Sequence, residues 1–220
     1  MSTTRSKLPS QTAALAGIPA GIQAAGPWIG YRQLFIRFAE EAETATMYTS
    51  EALKGELRRL TARSRYHSIA VSGRDPLAES EYLRAALGDA PRPAMLDHDG
   101  QRPDALEPLL DVLALVQVRF DGCEAPSVLE RAMDSIVRAA RKQVKHAAVV
   151  VPAAAASDGQ LLRVVEQVHG ASAEAIVLLH PTVESASDPD RRWIVWLERA
   201  AQVHEQVRVV PRLPAPTGTR

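Results

Sequence analysis

Cysteine is all but missing from this chain: Cys123 is the single thiol in 220 residues. One thiol excludes an internal disulfide framework, and it excludes any iron–sulfur or zinc centre that draws several thiolates from this chain. An excess of charge of one sign is also missing, because 26 basic residues balance 26 acidic ones and the pI lies near 7. No global field attracts polyanions, so neither a nucleic acid nor a membrane is expected as a partner. No apolar run approaches the roughly 18–20 residues needed to cross a bilayer, and the opening Met1–Gln11 is polar rather than built like a signal peptide. A cytoplasmic protein is expected. P-loop and dinucleotide fingerprints are absent, and no serine sits in a nucleophile elbow. Lysine is scarce, with Lys7, Lys54, Lys142 and Lys145 against 22 arginines, a bias that reads as codon composition rather than chemistry.

What the chain does have is alternation. Residues 1–12 read as a flexible tail, and residues 13–220 as a single domain. Short apolar stretches of strand length occur at Gln33–Phe38, Ser68–Val71, Ala94–Leu96, Ala114–Val118, Ala147–Val151, Ala175–Leu179 and Val207–Val210. Between them, helical spacing runs over Glu51–Arg65, Leu77–Leu87, Pro103–Val112, Pro126–Lys145, Asp158–Val168 and Arg191–Gln206. Helix starts are signalled by Ser127 ahead of Glu130, by Ser157-Asp158, and by Asp188-Pro189. Such repetition predicts an α/β fold with a parallel sheet and crossover helices. The strands are continuously apolar, so both sheet faces should be covered; a sandwich and a curved partial barrel both fit.

In parallel α/β sheets ligands sit at the carboxyl ends of the strands. There the chain places Ser72-Gly73-Arg74-Asp75-Pro76, readable as a ligand-approaching turn or as a plain helix entry. A second strand end carries Asp97-His98-Asp99-Gly100, whose two carboxylates and imidazole could hold a divalent metal or supply a general base. The alternative is an Asp-Gly turn with a solvated histidine. Glu41, His67 and His180 also fall near strand ends, whereas His169 and His204 read as surface or capping residues. Trp193 and Trp196 share one helix with Ile194, Val195 and Leu197, which suits core packing or, as a sharper alternative, a partner-facing surface.

The run Gly21-Ile22-Gln23-Ala24-Ala25-Gly26-Pro27-Trp28, followed by Gln33-Leu34-Phe35-Ile36-Arg37-Phe38-Ala39, resembles the opening of the 7-carboxy-7-deazaguanine synthases. These are radical S-adenosylmethionine enzymes of the queuosine pathway, whose opening reads S-I-Q-G-E-G-P and then F-x-R-x-A/S-G. Ser72-Gly73-Arg74-Asp75-Pro76-Leu77 is similar to the family's T-G-G-E-P-L, Leu96-Asp97-His98-Asp99-Gly100 to its L-E-T-N-G, and Val207-Arg208-Val209-Val210-Pro211 to its V-R-V-I-P-Q. The resemblance extends from about residue 15 to the end. It implies an incomplete (β/α)6-type barrel with parallel strands, a homodimer or a heteromer with an active paralogue, and substrate contacts at Gln23 and Arg37.

The chemistry of that family is not supported by the residues present. Where the resemblance implies three cysteines for a 4Fe-4S cluster, this chain has Glu41, Ala45 and Tyr48. Iron–sulfide needs soft thiolates; a methyl donates nothing, and carboxylate and phenol are hard donors. Around the positions implied for S-adenosylmethionine stand Gly73, Arg74 and Asp75, with Arg74 in place of a glycine. Ser50 stands at the implied magnesium position, behind Thr49 in place of an aspartate. Ala24 and Ala25 replace Gly and Glu, Arg119 and Asp121 stand at the D-I-K segment, and Arg212, Leu213 and Pro214 replace Q-T-H. Neither a cluster nor S-adenosylmethionine is therefore expected. The expected function is that of a catalytically degenerate homologue acting as a binding or partner protein. The alternative is a cluster-independent enzyme or purine-like ligand binder that reuses the pocket with Glu41, Asp97, His98 and Asp99. Anaerobic reconstitution with iron and sulfide should leave the purified protein colourless near 400 nm; a stoichiometric brown cluster contradicts this reading.

Overall fold

The computed structural model describes residues 12–181, 191–211 and 213. Ten strands form one open, mostly parallel sheet. β1 (Thr12–Gly17) and β2 (Ala20–Ile22) each pair antiparallel with β3 (Arg32–Phe38), the first parallel member, and β4 (Thr46–Thr49) pairs antiparallel with β1 at the edge. From β3 the parallel strands follow in chain order: β5 (Ser68–Gly73), β6 (Ala94–His98), β7 (Leu115–Phe120), β8 (Lys145–Val150), β9 (Ile176–Leu179) and β10 (Val207–Val209). The helices are α1 (Ser50–Arg63), α2 (Ser80–Leu87), α3 (Pro103–Leu106), α4 (Pro126–Arg141), α5 (Asp158–Ala171) and α6 (Arg192–Val203).

Consecutive order has a steric consequence. Parallel crossovers are right-handed, so strands added always on the same side place every crossover helix on the same face. On that face Ile36, Ile69, Val71, Leu96, Val116, Val118, Val150 and Val177 meet Leu53, Leu83, Ile136, Leu161 and Trp196 in one buried core. Each such aliphatic side chain contributes roughly 1.5–3 kcal/mol by leaving water. The alternate residues of the same strands face away from the helices. Ala70, Met95 and Leu115 gather with Trp28 and Phe35, and Ala147, Val149 and Leu178 gather with Ala25, Val151 and Val210. Both faces are covered, as the continuous apolar strands predict, but the second cover is the N-terminal stretch before β3 rather than a second helix layer.

The helix expectations need local correction. Pro108 has no N–H to give to the carbonyl four residues back, and the predicted Pro103–Val112 helix becomes α3 followed by a 3-10 turn at Glu107–Val112. Pro76–Glu79 is likewise 3-10 ahead of α2. The predicted Pro126–Lys145 helix stops at Arg141 because Gln143 takes a left-handed conformation (φ 56°). Its N–H and that of Val144 then close on the carbonyls of Ala140 and Ala139. This is a Schellman ending built without its usual glycine, so it left no signal in the sequence. The residue before α4 is Ala125, with Pro126 in the first helical position; Ser127 is not the cap. Ser157 does cap α5, in a reciprocal box with Gln160. Asp188 and Pro189 lie outside the described residues. Trp193 and Trp196 are both buried in the core, so the partner-facing reading of these two side chains is corrected: the exposed apolar residues of α6 are Ile194 and Val195.

Gly73 closes β5 beside the end of β3, with φ +101°. A Cβ there would stand 2.4 Å from the Phe38 carbonyl oxygen and 2.7 Å from its nitrogen. Backbone packing alone therefore demands glycine. Gly73→Ala should lower stability by about 3 kcal/mol, a fall of roughly 6–12 °C in Tm for a chain of this size, measured by thermal unfolding. An unchanged melting temperature contradicts the packing argument.

Candidate functional site

Along β6, alternation sends neighbouring side chains to opposite faces. Asp97 therefore points to the helix-free face and His98 into the helix-covered core, and the cluster Asp97-His98-Asp99 does not converge. Asp97 forms an ion pair with Arg119 of β7, Oδ1 to Nε 3.0 Å. His98 is 2% exposed; its Nδ1 accepts the Gly100 N–H at 3.1 Å, and its Nε2 has no hydrogen-bond partner among the described residues. Burial first of all pushes the His98 imidazole down to about 4; the Asp99 carboxylate pulls the other way and Arg119 adds to the depression. Asp99 sits in an exposed turn, its Oδ1 accepting the Gln101 N–H at 3.0 Å. Among the described residues no group of three or more His, Cys, Asp or Glu side chains is placed to hold a metal ion. The expectation of a single Asp97-His98-Asp99 constellation is corrected accordingly.

The residues that do converge line a cavity of about 370 Å³ on the helix-free face. Phe35, Ala70, Val149 and Val151 supply apolar surface, and Pro19–Ala25 form the opposite wall. Polar groups enter from Gln23, Arg37, Ser72, Asp97, Gln117 and Arg119. The charges come in pairs: Asp97 with Arg119, and Arg37 with Glu43 at 2.8 Å. Gln117 is 1% exposed, and its Oε1 has no hydrogen-bond partner among the described residues. Gly26, at φ +89°, lies directly against that amide, where a Cβ would sit 1.8 Å from Oε1.

The wall is held by buried polar side chains. Gln23 donates from Nε2 to the Ala25 carbonyl at 2.8 Å, while its backbone groups bond to Tyr31 and Gly30. His180, 1% exposed at the end of β9, accepts the Gly26 N–H on Nε2 at 2.9 Å. Its Nδ1 lies 2.7 Å from the Val210 carbonyl, which can only accept, so the ring is in the Nδ1–H tautomer. One imidazole thereby ties the N-terminal wall to the last parallel strand, and Leu213 N–H adds a bond to the Ala24 carbonyl. The sequence alone places His180 only near a strand end. His67 does not belong here, because it precedes β5 and lies at the opposite end of the sheet from Asp97.

The positions singled out for a cofactor have other partners. Glu41 and Arg74 form an ion pair at 2.5 Å. Tyr48 is a member of β4, opposite Ala13 of β1, and packs on the core. Ala45 is exposed in the preceding turn. Thr49 caps α1 by accepting the Ala52 N–H, which leaves Ser50 buried as the first helical residue. Asp75 (φ 39°) accepts from Arg102 Nε at 2.8 Å on both carboxylate oxygens. Cys123 is exposed in the turn after β7, its N–H bonded to Asp121. Carboxylate, methyl and phenol do not fit iron–sulfide, and one distant thiol does not complete a set. Gln117 escapes sequence reading: an isolated Gln in an apolar strand carries no motif.

Because His98 is neutral in the folded state and ordinary when unfolded, stability should be fully present above about pH 6.5, fall as the pH drops toward 4, and level off below. The loss amounts to roughly 3 kcal/mol. Urea unfolding of wild type and His98→Leu across this range should show the smaller slope in the variant; equal slopes contradict the assignment.

The chain matches no family model and no curated protein sequence.

Proposed function

We propose that this protein is a catalytically degenerate relative of the 7-carboxy-7-deazaguanine synthases, a partial α/β barrel whose cavity binds a small, neutral, purine-like heterocycle without a cluster. The reading rests on the cavity between the helix-free sheet face and Pro19–Ala25. Its size is in the range of small-molecule sites, and its lining follows their pattern of apolar walls with a few fixed polar groups. Internal pairing of Asp97 with Arg119 and of Arg37 with Glu43 leaves no uncompensated charge to attract an ionic ligand. The Gln117 amide, buried at the cavity wall against Gly26, brings a dipole and no charge, which suits a neutral heterocycle. Strands added one after another in chain order support the partial barrel. The resemblance of Gly21–Pro27 and Leu96–Gly100 to the synthase motifs supports the ancestry, and Glu41, Ala45 and Tyr48 support the loss of the cluster.

In this reading the protein acts by binding, on its own, as a homodimer, or beside an active paralogue. Cluster-independent catalysis is the weaker alternative, because His98 and Asp99 turn away from the cavity that holds Asp97.

A thermal-shift panel of guanine, 7-deazaguanine and S-adenosylmethionine tests the proposal. A heterocycle at 100 times its Kd adds about 2.7 kcal/mol, or roughly 5–10 °C. Asp97→Ala and Gln117→Leu should each remove that shift while leaving the unliganded protein folded. Silence for both heterocycles overturns the proposal, and so does a shift with S-adenosylmethionine alone.

A further inference from the structure

At the end of the sheet remote from Asp97, where the parallel strands begin, the molecule presents a rigid aromatic shelf among arginines. Tyr31 stacks on His67 with ring centroids 4.0 Å apart at 18°, and Trp28 meets His67 edge-on at 5.0 Å. Tyr31 remains 51% exposed, so one face of its ring is covered by His67 and the other is open. His67 is itself held from below. Gln33 Nε2 donates to Ser68 Oγ at 2.7 Å, and the Ser68 hydroxyl is in turn hydrogen-bonded to His67 Nδ1 at 2.8 Å. That chain starts at Gln33, which is fully buried, and it fixes the His67 ring, so the shelf is pre-organised before anything binds.

Arginines border it. The Arg32 guanidinium lies over the Tyr66 ring at 4.6 Å, and the Arg32 carbonyl accepts the His67 N–H. Arg65 immediately precedes Tyr66, and Arg63 closes α1. Arg92 adjoins Pro93, whose carbonyl accepts the Ile69 N–H of β5. None of these four arginines makes an ion pair within 4.0 Å among the described residues, whereas the nearby carboxylates Glu56 and Asp89 pair with Arg59 and Lys54. Overall neutrality therefore conceals a local positive surface around the exposed Tyr31 ring.

The geometry points to a contact surface for single-stranded nucleic acid, with one base stacked on the open face of Tyr31 and the flanking phosphates on Arg32, Arg65 and Arg92. An unpaired strand offers bases to an aromatic shelf, and its phosphates need the unpaired guanidiniums; a duplex keeps its bases within the stack. The surface lies at the other end of the strands from Asp97 and Arg119, and the inference does not depend on the ligand proposed for that cavity.

Fluorescence anisotropy with labelled 12-nucleotide oligo-U and oligo-dT, using the full chain, tests it. Binding to the single strand is expected at 50 mM salt and should weaken about 20-fold at 200 mM, the slope for about three neutralised phosphates. Tyr31→Ala should weaken it about 10-fold while Tyr31→Phe, which keeps the ring, stays within twofold. The Arg32→Ala/Arg65→Ala pair should flatten the salt dependence. These residues are exposed or half-buried, so the variants should fold, and thermal unfolding checks that they do. The inference is overturned by no anisotropy change at 50 µM protein, by full binding in Tyr31→Ala, or by equal binding to a duplex of the same length.

Discussion

Seven parallel strands laid down in chain order force the crossover helices onto one face, and the other face must then be kept from water by something else. That demand organises the molecule. The continuous apolar strands make the helix-free face too greasy to expose, and the stretch between β1 and β3 is what covers it. It does so incompletely. Trp28 and Ala25 pack on the two apolar patches, while Pro19–Ala24 stand off from the strand ends and leave the cavity beneath them. The site is thus the remainder of a covering problem, bounded by a wall that has few apolar anchors of its own.

A wall of that kind needs polar fixings, and in a low-dielectric interior each must be satisfied. His180 does this with both ring nitrogens, one toward Gly26 and one toward Val210. Gln23 turns its amide back on its own loop. The cavity's charges are likewise satisfied within the protein, between adjacent strands for Asp97 and Arg119 and between β3 and the turn after it for Arg37 and Glu43. Glu41 and Arg74 extend the same pattern to the strand ends. Glu41, Thr49 and Asp75 are devoted to holding loops and helix starts.

Much of the architecture was legible in one dimension. All seven parallel strands announced themselves as short apolar runs, because strands buried on both faces need no alternation. The antiparallel additions β1, β2 and β4 did not, being short and partly exposed, with glycine and threonine where apolar residues would have marked them. Helix ends failed for similar reasons: Gln143 adopts a conformation that glycine would have advertised, and Pro108 shortens a helix whose periodicity runs on past it. At the site, Ser72 and Asp97 are recognisable at strand ends and Arg37 comes only with the resemblance, but Gln117 is a single polar letter in an apolar run.

The sequence by itself determined the class of fold, the lack of any set of thiolates, and the location of candidate chemistry at the strand ends. These follow from composition and period, which are properties of the chain alone. Which residues act together was decided only in three dimensions. Alternation along β6 divides Asp97 from His98 although they are neighbours, and β-pairing brings Asp97 to Arg119 across 22 residues. Sequence proximity fixes distance along the backbone, whereas the pleat decides direction, and a site is built from directions.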